Sequence, residues 1–224
     1  GIDTARLRGG WLVSELLGRI PKAAERLHRC NILIDDSEKL TVAMMRSRTR
    51  RVLTKYPVRL VIADYLQLIE PRDRKDSREV QVGEISQCLK EFSKDIKLPL
   101  LVVCQLGRSA EDEIGGRPQL RNLRESGRIE QDADVVMLMY RHMPVSQCGP
   151  RKRLSAEEEY DAYRKAREEN PVKIWLDLQK QRNGPTGMQP LLFDRNLQSF
   201  QTSTWEYFKT GTETESQCSQ DGTL

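Results

Sequence analysis

Leu60-Val-Ile-Ala-Asp64 and Leu100-Leu-Val-Val-Cys-Gln105 decide how this chain folds. Each is a run of aliphatic, mostly β-favouring residues that stops at a polar side chain. Val58 to Ala63 is apolar apart from Arg59, and Leu98 to Cys104 is apolar throughout, which predicts strands buried on both faces of a parallel sheet. Between them Val82, Ile85, Leu89 and Phe92 recur at helical spacing, so Val80 to Ile96 is predicted to be the crossover helix. Strand, helix, strand implies a right-handed βαβ unit and an α/β fold with a mostly parallel sheet flanked by helices.

Working upstream, Leu12, Leu16, Leu17, Ile20, Ala24 and Leu27 predict an amphipathic helix over Trp11 to His28. The apolar run Asn31-Ile-Leu-Ile-Asp35 is expected to be a short strand. Thr41 is placed to cap a helix over Val42 to Lys55. Pro71 to Asp76 is polar and reads as a surface loop. Downstream, Gly107 to Asn122 is expected to be a long loop and Val135 to Tyr140 a further strand. Val172 to Gln179 and Gln189 to Phe193, joined through Asn183-Gly-Pro-Thr-Gly187, form a C-terminal β-hairpin, with Leu197 to Phe200 adding a strand. Residues 143–171 alternate in charge and suit a solvated insertion, while 206–224 hold little to bury and are expected to be disordered.

Composition narrows the class. The 224 residues are 31% charged and 38% hydrophobic, and the longest apolar runs are strand-length, far short of the ~20 residues that span a bilayer. No membrane association is expected. Gly1 to Gly10 is polar and lacks the pattern of a secretory signal, so a cytoplasmic location follows. Five cysteines, widely spaced and without a C-x-x-C pair, read as reduced thiols rather than a zinc site. A formal charge of +4 permits nucleic-acid binding without arguing for it.

In open parallel sheets ligands sit beyond the carboxyl ends of the strands. Asp64 and Gln105 both stand there. A carboxylate at such a place can hold Mg²⁺ through water, and a neutral amide can contact a terminal phosphate or orient the attacking water. A turn-starting Asp or Gln is the ordinary alternative. Arg46, Arg48, Arg50 and Arg51 alternate with apolar residues and read as a solvated helix face rather than a DNA-binding strip.

The words around these residues go further. Asp64-Tyr-Leu-Gln-Leu-Ile69, Cys104-Gln-Leu-Gly-Arg108, Leu123-Arg-Glu-Ser-Gly-Arg-Ile-Glu-Gln-Asp-Ala-Asp134 and Lys180-Gln-Arg-Asn-Gly-Pro-Thr-Gly187 resemble, in order and spacing, the motifs of DnaB-type replicative DNA helicases. Ile32-Leu-Ile-Asp-Asp-Ser37 fits as well, and the likeness runs over residues 1–205.

The resemblance implies a RecA-like motor domain that works with ATP and Mg²⁺ and translocates on single-stranded DNA as a homo-hexamer. It also implies that the intact protein meets a primase and a helicase loader. Residue by residue, Asp64 matches the Walker B aspartate and metal ligand, and Gln105 the phosphate sensor. Lys180 and Arg182 match a basic pair that reaches a neighbouring subunit's nucleotide. Arg124, Glu125 and Gly127 match the loop facing single-stranded DNA. Arg72 and Arg74 lie in a second loop that in the family faces DNA, or are plain surface. Gly107 and Arg128 depart from the usual residues, which touches only fine DNA contacts. The phosphate loop G-x-x-x-x-G-K-[ST] is absent, for no Gly-Lys pair occurs anywhere; in the family it lies upstream of the position of Gly1. The 224 residues alone are therefore expected to be inactive, and a truncated, non-catalytic DNA- or subunit-binding paralogue is the alternative.

Overall fold

Side-chain caps start three of the helices. In the computed structural model, which describes residues 2–10, 17–73, 75–107, 117–123, 127–141 and 169–204, Asp3 Oδ1 accepts from the amides of Ala5 and Arg6 to open α1 (Thr4–Gly9), and Gly10 ends it at φ 72°. Helix α2 covers Arg19–His28, so of the expected Trp11 to His28 helix the described residues give a helix that starts after a turn at Gly18. Thr41 caps α3 (Val42–Leu53) by accepting from Met44 N at 3.3 Å, as its sequence position suggested. Strand β1 (Val61–Ala63) follows, then α4 (Arg78–Ile96), capped by Ser77, then β2 (Leu100–Val102). The rest is α5 (Gly127–Asp132), β3 (Val135–Arg141), β4 (Val172–Gln181), β5 (Gly187–Asp194) and β6 (Ser199–Thr202). Among the described residues no helix is long and apolar enough to cross a membrane.

The chain forms two compact units. The first lies within 18–108 and 119–136. Its β1 and β2 pair in parallel, with Ile62 opposite Leu101 and Ala63 opposite Val102. Helix α4 supplies the core through the stripe read from sequence, with Val82 and Phe92 fully buried and Ile85 and Leu89 nearly so. Leu66, Ile69, Ala63, Val42 and Ile129 complete it. Ser86 Oγ donates to Asp132 Oδ2 at 2.8 Å and Lys90 pairs with Asp134, which locks the α5 segment against α4.

Two expectations fail here. Asn31 to Asp35 is no strand: it has no ladder partner among the described residues, and Ile32, Leu33 and Ile34 are exposed. An apolar run becomes a strand only where another strand offers its amides and carbonyls. The parallel pair is also buried on one face only. Leu60, Ile62, Leu101 and Val103 alternate onto the other face and are exposed.

In the second unit the sheet order is β3-β4-β5-β6. β4 and β5 are antiparallel, with Trp175 opposite Pro190 and Leu178 opposite Gly187, so the hairpin stands as expected and its strands run slightly longer. The extra strand also forms, at Ser199–Thr202, where Phe193 and Phe200 pair across the strands with ring centroids 4.7 Å apart. Residues 143–168 of the charged insertion and the whole of 206–224 lie outside the described residues.

Candidate nucleotide and DNA site

Parallel pairing brings Asp64 and Gln105 to the same edge of the sheet. The ladder continues one step past β2, with Val103 N donating to Ala63 O at 2.9 Å and Leu66 N to Val103 O at 2.8 Å. Asp64 directly follows bonded Ala63 and Gln105 comes two residues after bonded Val103, and both are exposed. The Asp64–Tyr65 peptide is cis, and Leu66–Leu68 then form a 3-10 turn whose Leu66 is buried.

This turn carries a residue that the sequence reading passed over. Gln67 Oε1 accepts from Gln105 N at 3.3 Å, and Gln67 Nε2 donates to Gln105 O at 3.2 Å and to Cys104 Sγ at 3.3 Å. Its own carbonyl accepts from Arg78 Nη2 at 3.2 Å. The available signal was a lone amide inside Leu66-Gln-Leu68, a polar side chain that needs partners beside the buried Leu66.

Among the described residues no three His, Cys, Asp or Glu side chains cluster as a metal cage. A lone carboxylate at Asp64 is nevertheless the donor set that suits Mg²⁺, which takes one or two protein carboxylates and fills its octahedron with water and phosphate oxygens.

Beyond Gln105, Gly107 N donates to Asn122 O at 3.0 Å, and Asn122, 2% exposed, accepts on its side chain from Gln119 N at 2.6 Å. The root of the expected DNA loop is thus tied to the strand end that carries Gln105. Leu123 is buried, and Gly127 is the first residue of α5 rather than a loop residue. Arg124, Glu125 and Arg74 lie outside the described residues. Arg72 is exposed between β1 and α4. The arginines of α3 pair with acids: Arg50 bonds Asp95 through Nη2 at 2.6 Å, Arg46 Nε lies 3.7 Å from the same carboxylate, and Arg48 bonds Asp35 at 2.8 Å. They behave as a solvated face, as expected.

In the second unit Lys180 is half-buried near the end of β4, and Arg182 is exposed just beyond it, where the turn begins. Behind them Asp177 is buried, accepting from Arg117 Nε and from Gln179 Nε2, both at 3.0 Å. Gln179 also donates to Pro118 O at 2.7 Å.

Residues 1–202 match the family described as DnaB-like helicase C terminal domain. The chain is 35% identical over 213 residues to the replicative DNA helicase DnaB of Rickettsia conorii, and 34% identical over 200 residues to that of Geobacillus stearothermophilus. In both cases 89% of this chain is covered and about 40% of the relative's length. Among solved structures, an ATPase domain superimposes with a TM-score of 0.75 at 30% identity, covering 91% of this chain and 66% of that one. A DnaB-like replicative helicase studied for its interactions with primase gives the same score, with 46% of its chain covered. The family model covers residues 1–202 and the solved relatives share the fold, and the chain belongs to the DnaB-like helicase C-terminal domain family.

Proposed function

We propose that this chain is part of the motor domain of a ring-shaped replicative DNA helicase, which couples ATP hydrolysis to translocation on single-stranded DNA and so parts the duplex. The carrying observation is the shared strand edge, where Asp64 and Gln105 both follow the carboxyl ends of the paired parallel strands. Asp64 would hold Mg²⁺ through water, and Gln105 would contact the terminal phosphate or orient the attacking water. When bound, Mg²⁺ supplies charge neutralisation on the transferring phosphate.

Lys180 and Arg182 would act on a nucleotide held by the adjacent subunit of a homo-hexamer. Lys180 lies near the end of β4 and Arg182 opens the turn after it, so both cations stand at the hairpin end. Arg124, Glu125 and Gly127, with Arg72 and Arg74, would grip DNA phosphates without reading sequence. Primase and a helicase loader are the proposed partners of the intact protein, in the cytoplasm and away from membranes.

A second reading is that the chain binds DNA or intact subunits without catalysis of its own. One experiment separates the two. In the full-length protein carrying this domain, Arg182→Ala should bind ATP normally and lose hydrolysis by roughly 10³-fold or more. Mixing it with an Asp64→Ala variant should restore part of the rate, because some interfaces then pair a sound metal site with a sound finger. Verified mixed rings with no recovery at any ratio would reject the finger role. A full-length protein without hydrolysis would favour the second reading.

A further inference from the structure

We propose that Gln67 is a positioning residue for Gln105, an inference that rests on the phosphate-sensing role given to Gln105 above. A sensor amide has to point the same way in every cycle, and its direction is set by the backbone beneath it. At Gln105 that backbone has left the sheet: the last ladder bonds are those of Val103. The Gln67 carboxamide takes the ladder's place. It accepts from the Gln105 amide at 3.3 Å and donates to the Gln105 carbonyl at 3.2 Å, so one side chain satisfies both main-chain groups as a neighbouring strand would.

The anchor is itself held. Leu66, next to Gln67, is buried and bonded through its amide to Val103 O, and the Gln67 carbonyl accepts from Arg78 at the start of α4. Two residues past Gln105, Gly107 is tied to Asn122. The sensor is therefore bracketed on both sides, and Gln67 is the side that reports to the Asp64 strand. It holds the sensor at a set distance from the metal-binding carboxylate.

Two measurements test this. In the 224-residue chain, Gln67→Ala should speed hydrogen exchange at the Gln105 amide while leaving Val103 unchanged. In the full-length protein carrying this domain, the same variant should lower kcat roughly 10- to 100-fold, as a small misplacement of a catalytic group does, with KM for ATP, melting temperature and oligomeric state unchanged. Gln67→Glu keeps the acceptor and loses the donor when ionised. Its rate relative to wild type should therefore climb as pH falls and the carboxyl regains a proton to donate.

Unchanged exchange at Gln105, wild-type kcat in Gln67→Ala, or a loss that tracks a lower melting temperature would each overturn the positioning role. Gln105→Ala serves as the control. Full turnover in that variant would overturn the sensor reading and this inference with it. A crippled Gln105→Ala beside an unaffected Gln67→Ala would overturn the inference alone.

Discussion

Arg117 Nε donates to Asp177 Oδ2 at 3.0 Å, and the two ends of this bond live in different media, with the Asp177 side chain 3% exposed and that of Arg117 53%. Removing either partner is therefore unequal. Arg117→Ala leaves a carboxylate buried with only Gln179 to neutralise its demand, and should cost roughly 3 kcal/mol or more. Asp177→Asn leaves a neutral acceptor and a guanidinium that turns to water, and should cost about 1–3 kcal/mol. Urea denaturation of both variants checks the order, and a larger loss in Asp177→Asn would contradict it.

Phe92 is fully buried on α4. Phe92→Ala should cost about 3–5 kcal/mol through lost burial and the cavity left behind. Thermal or urea unfolding reads this directly. A loss below about 1 kcal/mol would mean that the site collapses freely, unlike a close-packed core.

The bonds from Arg48 and Ser37 hold Asp35 at about 2, below its ordinary 3.8. A carboxyl with a lowered folded value stabilises the protein above its unfolded pKa and loses that contribution as pH falls through the folded one. The expected window is pH 4 down to about 2, and Arg48→Met should flatten the stability profile there. Tyr140 moves the other way: burial pushes it up to about 12 from 10.0. Its contribution is complete below pH 10 and fades as pH rises toward 12, so Tyr140→Phe should lessen the alkaline decline. Stability curves of the variants matching wild type in these windows would refute both assignments.

The 224-residue chain by itself should show no appreciable ATPase and only weak, salt-sensitive binding to single-stranded DNA. Few phosphates are neutralised by one subunit, and affinity falls steeply with salt as counterions are released. Turnover that vanishes in Asp64→Ala, or nanomolar binding by a verified monomer at physiological salt, would contradict this.

Where a local rule governed, the sequence was readable. Val82, Ile85, Leu89 and Phe92 follow the helix period and are all buried, Thr41 caps as its hydroxyl allows, and the hairpin follows its turn. Asp64 and Gln105 were legible because a polar residue closing an apolar run marks a strand's end. Asn31 to Asp35 misled because hydrophobicity reports a wish for burial and says nothing of a hydrogen-bonding partner. Ile62 and Leu101 misled for the same reason, an apolar run being no proof that both faces are covered. Gln67 escaped because its meaning depends on residues 104 and 105, brought near by the turn and the parallel register together. Asp177 had a visible trace, a charge inside the otherwise apolar run Ile174 to Leu178, but its partner Arg117 lies far off in sequence.

Leu60, Ile62, Leu101 and Val103 also shape the calorimetry. The heat-capacity increment of unfolding measures how much apolar surface first meets water in the transition, about 12–15 cal/mol/K per residue in globular domains. Apolar surface that already stands in water, about half of each of these side chains, contributes nothing to it. Unfolding of this chain should therefore show an increment below that scale, and a stability curve flatter than its length implies, rising toward the ordinary value once those four side chains are covered.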